Sequence, residues 1–109
     1  MGMKRGDIVT IALQGDYGKP RPALIIQSDL FSELSSVTVL PITSHLNDLD
    51  QLWLTIEAVP KTGLAVQSQI MIDKAQTFPA SKVGATIGVA DRETIAAVNR
   101  AQAIFFGIA

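Results

Sequence analysis

The sequence predicts an α+β domain that is mostly β: five or six short strands forming a barrel-like sheet, followed by one C-terminal helix. Three observations predict it. Gly, Pro, Asn and Asp turn signals recur at short, regular intervals along the chain. The apolar runs between them are too short for ordinary helices. Only the last segment has apolar residues at helical spacing, with Ile95, Val98, Ala101 and Phe105 on one stripe.

The elements follow in order. Gly6-Asp7 precedes a first strand over residues 8–13, and residues 15–20 form a Gly- and Pro-containing loop. A second strand covers 22–27; its unbroken apolar run implies burial on both faces. Ser28 or Asp29 is placed to cap a short helical turn through residue 34. A third strand covers 37–43, and Pro41, which has no N–H to donate, implies that it ends or lies at an edge there. After a polar loop over 44–51, residues 52–57 alternate, with Leu52, Leu54 and Ile56 on one face and Trp53 on the other. Trp53 suits either an interface or a second apolar layer of the barrel.

Residues 60–63 are a turn. Residues 66–73 form another strand, with Val66, Ser68, Ile70 and Ile72 on one face and Gln67, Gln69, Met71 and Asp73 on the other. A short strand over 85–88 follows. Asp91 starts the helix, Glu93 lies favourably in its first turn, and Gly107 ends it.

With 109 residues the chain is a single domain, 1–109, in which residues 1–3 are expected to be disordered or foreign to the natural sequence. Hydrophobic residues make up 48% and aromatics only 6%, so the apolar content is largely aliphatic. That is more than a small core readily hides, which points to a homodimer over a monomer with a dry surface. The net charge of −1 gives no overall basic field, so any nucleic-acid site must be local. The absence of cysteine excludes disulfides and thiolate metal sites, and one histidine excludes a His-rich cluster. No metal or cofactor is expected. No run approaches the roughly 20 apolar residues of a membrane span, and no signal peptide is visible, so a cytoplasmic protein is expected.

Lys4, Arg5, Lys19 and Arg21 gather the basic charge in the first part of the chain. Lys19-Pro20-Arg21-Pro22 is the most informative run. Both cations precede prolines, which push them into extended geometry, and residues two apart in an extended chain point the same way. Two readings stand: a preorganised cation pair for a phosphate, or a stiff loop with solvated cations.

The combination of Arg5-Gly6-Asp7-Ile8-Val9, Arg21-Pro22-Ala23-Leu24-Ile25-Ile26 and Val39-Leu40-Pro41-Ile42-Thr43-Ser44 resembles the MazF/PemK toxins, in that order and spacing. Gln67-Ser68-Gln69-Ile70 sits where that family commonly has Asp-Gln-Ile or Asp-Gln-Val, and the match runs from about Arg5 to Gly107. The resemblance implies a compact SH3-like barrel of the CcdB/MazF type, of five to seven strands with a C-terminal helix. It implies a homodimeric toxin of a toxin–antitoxin system that cuts single-stranded RNA or mRNA without a metal and is blocked by a cognate antitoxin. It assigns catalysis to Arg21 and Thr43.

Beside these, Lys19, Tyr17, Ser44, His45 and Gln69 are candidates for RNA contact. Tyr17 suits base stacking or is an idle surface tyrosine, and His45 suits proton transfer or is an ordinary loop histidine. Ser68 departs from the family's aspartate, which leaves the proton transfers unassigned, and the loop over 15–19 is shorter than the family's. The rival function is a CcdB-like gyrase poison acting by binding alone, which the ending Phe105-Phe106-Gly107-Ile108-Ala109 echoes.

Overall fold

The computed structural model describes residues 3–12, 19–48 and 52–109. Among them are seven strands: β1 (Asp7–Ala12), β2 (Pro20–Ile25), β3 (Ser36–Thr43), β4 (Trp53–Ile56), β5 (Ser68–Met71), β6 (Gln76–Pro79) and β7 (Val83–Val89). One α-helix, α1 (Arg92–Phe105), closes the chain. All ladders are antiparallel, in the order β4-β5-β3-β2-β1-β7, with β6 also paired to β3. Among the described residues no ladder joins β4 to β7, so the sheet is open rather than a closed barrel.

The apolar run in β2 behaves as its sequence implies. Ala23, Leu24 and Ile25 are all buried, because β2 lies between β1 and β3 with apolar layers on both faces. One layer joins Ile8, Leu24, Leu40, Ile42, Ile56, Ile70 and Ile72 to Val98 and Ala101 of α1. The other joins Val9, Ile11, Ala23, Ile25, Val37 and Val39. Met3, expected outside the fold, packs against this second layer.

Pro41 does not end β3. The strand continues to Thr43 and changes partner on one edge: β6 pairs with residues 36–39, and β5 with Ile42 and Thr43. The Ile26 N–H donates to Thr38 O across the other edge, so by antiparallel alternation the nitrogen of residue 41 faces away from β2. Proline therefore falls in the gap between two partners, where no donor is needed. β6 was not foreseen, since Gln76-Thr77-Phe78-Pro79 is polar and ends in proline; its one apolar anchor is Phe78, opposite Val37.

Ser28 caps a short 3-10 turn over Asp29–Phe31, its Oγ accepting from Leu30 N at 3.2 Å. Asp91 caps α1, accepting from Thr94 N at 2.8 Å. Burying Val98 completely contributes about 2 kcal/mol. The buried part of the apolar stripe stops at Ala101, however: Phe105 is exposed and its ring meets Phe106 edge to face, ring centroids 5.2 Å apart. Gly107, at φ +73°, closes the helix by a Schellman motif in which Gly107 N donates to Ile104 O and Ile108 N to Ala103 O.

Candidate functional site

A groove of about 600 Å³ opens where β2 and β3 part. Arg21 and Pro22 of β2, Pro41, Ile42 and Thr43 of β3, and Ser44 and His45 beyond it form one side. Residues 63–66, Ser68, Met71 and Ile87 form the other. The volume is in the range of sites that hold small molecules or single nucleotide units.

The prolines explain the parting. The β2–β3 ladder runs only from Ile25↔Val39 to Ala23↔Pro41. Continued, the register would set Pro22 against Ile42 and Arg21 level with Thr43. Even-numbered residues of β2 turn their nitrogens toward β3, as Ile26 does. At positions 20 and 22 those nitrogens belong to prolines and donate nothing. The β1 edge of β2 stays paired through Arg21↔Ile11 and Pro20↔Ala12, so the strand holds its course while the β3 edge opens. The Lys-Pro-Arg-Pro run is therefore largely strand, and it sets the arginine at the mouth of a groove that its own prolines create.

Thr43 is the last residue of β3, paired with Gln69. Its Oγ1 accepts from His45 N at 3.0 Å, a local turn that uses one acceptor site of the hydroxyl and leaves its proton to donate. Gln69 itself is buried. Its Oε1 accepts from Asn47 N at 2.8 Å and its Nε2 donates to Asn47 O at 2.9 Å. The side chain thus pairs with a backbone as another strand would, pinning the arc of residues 44–47 behind the groove.

The facing wall was not legible in the sequence. Thr62, a buried hydroxyl, donates to Glu57 O at 2.9 Å and accepts from Val59 N at 3.2 Å and Leu64 N at 3.4 Å. Gly63, at φ +69°, lets the turn lie against β7, where Val89 N donates to Lys61 O at 2.9 Å. A Cβ at Gly88 would overlap the Thr62 backbone, so the two segments meet only because that position is glycine. Gly63 and Gly88 were the available signal, but nothing local says that they face one another. Val66, expected inside a strand, is exposed on this wall, and β5 begins only at Ser68. Ser68 is buried, with its hydroxyl donating to Val66 O at 2.9 Å.

Of the candidates, Arg21, Thr43, Ser44 and His45 line one groove. Gln69 lies behind it, and Lys19 is exposed outside its lining. Tyr17, residues 13–18 and residues 49–51 lie outside the described residues. Arg21 is the only charged side chain among the described lining residues. Lys4 and Arg5 are elsewhere, beside α1. Trp53 is half-buried, its indole N–H donating to Asp73 Oδ1 at 3.0 Å. Among the described residues no three His, Cys, Asp or Glu side chains come together, and no helix is long and apolar enough to cross a membrane.

Residues 4–106 match the family model of PemK-like, MazF-like toxins of type II toxin–antitoxin systems. A probable endoribonuclease MazF from Mycolicibacterium smegmatis is 45% identical over 108 residues, covering 98% of this chain and 99% of the relative. The Mycobacterium tuberculosis toxin MazF-mt6 superposes with a TM-score of 0.82 at 29% identity, covering 94% of this chain and 98% of that one. A mycobacterial endoribonuclease solved with its cognate antitoxin shares the fold, with a TM-score of 0.83 at 17% identity over 99% of this chain and 98% of that one.

Proposed function

The chain belongs to the PemK-like, MazF-like toxins of type II toxin–antitoxin systems, and we propose that it is an endoribonuclease whose groove cleaves single-stranded RNA or mRNA. The observation that carries this reading is the meeting of Arg21 and Thr43, from two different strands, in one groove with a single charged side chain among its described lining.

The chemistry follows from those two groups. The ribose 2′-hydroxyl attacks the neighbouring phosphorus, leaving a 2′,3′-cyclic phosphate and a 5′-hydroxyl. Negative charge grows on the equatorial oxygens as the phosphorane-like transition state forms. Arg21 offers two parallel N–H donors to that charge. The Thr43 hydroxyl, with one acceptor site held by His45 N, donates a third hydrogen bond. This arrangement needs no metal, and the attack is favoured by holding phosphate and ribose in line. Ser44 and His45 extend the contact along the RNA, while Lys19 and Tyr17 grip its flanking phosphate and base. Gln69 acts one step removed, by holding the 44–47 arc.

The working form is a cytoplasmic homodimer of this single domain, restrained by a cognate antitoxin whose acidic chain would set carboxylates against Arg21. The exposed Leu30, Phe31 and Leu34, and the exposed Ile104, Phe106 and Ile108, support the dimer. Arg5 binds the first segment through Asp29 and the second through Gln102, so the two patches flank one residue. The aromatic-Gly-Ile ending has its own explanation in the helix stop at Gly107 and does not argue for gyrase poisoning.

The test is incubation of the purified chain with a long RNA in excess chelator, followed by mapping of the new ends. Discrete cuts bearing 5′-hydroxyl and 2′,3′-cyclic phosphate ends are expected. Intact RNA together with inhibited gyrase would overturn the reading.

A further inference from the structure

We propose that His45 is the general base of this cleavage, taking the proton from the attacking 2′-hydroxyl. The inference rests on the endoribonuclease reading above and supplies what Arg21 and Thr43 cannot. Arginine does not deprotonate in proteins, and a threonine hydroxyl is far too weak an acid or base at neutral pH to exchange the proton. Imidazole is the side chain that changes charge between pH 5 and 8, which is what general base catalysis at neutral pH requires.

The geometry brings His45 into the groove that Arg21 and Thr43 line. His45 lines the same groove as Arg21 and Thr43 and is exposed to it. Its backbone N–H is held on Thr43 Oγ1 at 3.0 Å. Two residues on, both backbone groups of Asn47 are held by the buried Gln69 carboxamide, at 2.8 and 2.9 Å. The histidine therefore stands between two pins, in an arc whose position does not depend on its own ring. Among the described lining residues the one other charged or titratable side chain is Arg21 from β2. The carboxylate that a family aspartate would supply is replaced by Ser68, whose hydroxyl is engaged with Val66 O.

The step balances simply. The 2′-oxygen forms its bond to phosphorus as its proton passes to the imidazole nitrogen. The bond from phosphorus to the 5′-oxygen breaks, and the electron pair leaves with that oxygen, which takes a proton from water. The resulting imidazolium returns its proton to solvent before the next turnover.

His45→Gln and His45→Ala separate this role from a structural one, because the backbone N–H that binds Thr43 survives both. Single-turnover cleavage of a short RNA would be followed from pH 5 to 9 in chelator, alongside Arg21→Ala and RNA affinity. The natural chain is expected to lose rate on the acid side as imidazole protonates. Both variants are expected to be slower by about 100-fold or more, to lose that acid limb, and to lose far less in RNA affinity than in rate. Added imidazole should partly restore His45→Ala. An unchanged rate and pH profile in His45→Gln, with Arg21→Ala inactive, would overturn the base and leave the nuclease reading standing. Loss of RNA affinity equal to the loss of rate, with no imidazole rescue, would overturn it in favour of a binding role. No RNA cleavage by the natural chain would overturn both.

Discussion

Arg5 and Arg21 carry the same guanidinium, Arg5 in the turn before β1 and Arg21 on β2, yet the fold sets them in different surroundings. Arg5 is absorbed into the structure. Its Nε donates to Ile26 O at 2.9 Å and its Nη2 to Asn99 Oδ1 at 2.8 Å, while its backbone N–H donates to Asp29 Oδ1 at 2.7 Å. One residue thereby ties the start of the chain to the end of β2, the 3-10 turn and α1. Arg21 is exposed at the mouth of a groove that its flanking prolines open. The lesson is that basic residues close together in sequence are not one patch. Where the fold sets each one, against α1 or in the lining of the groove, decides what its charge can reach.

The sharpest way to break this comparison is to remove each arginine in turn. Arg21→Ala is expected to lower cleavage roughly 1,000-fold, the upper end for loss of one transition-state donor, with little change in the urea midpoint. Arg5→Ala should do the reverse, costing about 2 kcal/mol of stability for its charged hydrogen bonds while leaving cleavage by the folded protein intact. If the two losses exchanged places, the division of labour would be wrong.

Pro22→Val sharpens the claim about the groove. It restores an N–H facing Ile42 and lets β2 zip further onto β3. Cleavage should fall about tenfold or more as Arg21 is displaced, with stability equal or higher. A fully active Pro22→Val would detach the prolines from the site. Gln69→Glu tests the arc from behind: a carboxylate cannot donate to Asn47 O and repels it. Cleavage should drop about tenfold and stability by about 1–2 kcal/mol, and a larger effect on kcat than on KM would mark positioning over binding.

Asp91, the cap of the helix that Arg5 ties down, carries the smallest expected effect. Hydrogen bonds from the Thr94 backbone and side chain lower its pKa below the ordinary 3.8, opposed by slight desolvation. The ionised cap thus stabilises the fold fully above the unfolded pKa, and this contribution is lost as pH falls through the lower, folded value. Asp91→Ala should therefore melt slightly earlier at neutral pH, and the difference should shrink as pH falls below 3.8. A difference that grew on acidification would reverse the assignment.

Several features were legible in the sequence because their causes are local. The burial of β2 follows from its unbroken aliphatic run, and the α1 cap from Asp91 before a periodic segment. The stop at Gly107 follows from the freedom of glycine at positive φ. The expected stripe overran at Phe105, because periodicity says which residues share a face but not where the opposing layer ends. The strand β6 was missed for a related reason. A polar, proline-ended segment becomes a strand only when β3 offers an unpaired edge.

The site divides in the same way. That Arg21 is stiffly held, and that it belongs with Thr43, came from the prolines beside it and from the resemblance of its motif. By itself the sequence thus determined the mostly β class, the terminal helix with both its caps, the strand that ends at Thr43 and the apolar strand after Arg21, which the fold extends back to Pro20, since these rest on neighbours along the chain. Only the tertiary structure decided that β2 and β3 part at Pro22 and that Gln69 faces backward onto Asn47. It alone decided that Thr62 and Gly88 bring residues 63–66 across from Arg21. Each of these depends on which hydrogen-bonding edge or close backbone approach is left available by a segment distant in sequence, and no local pattern encodes that.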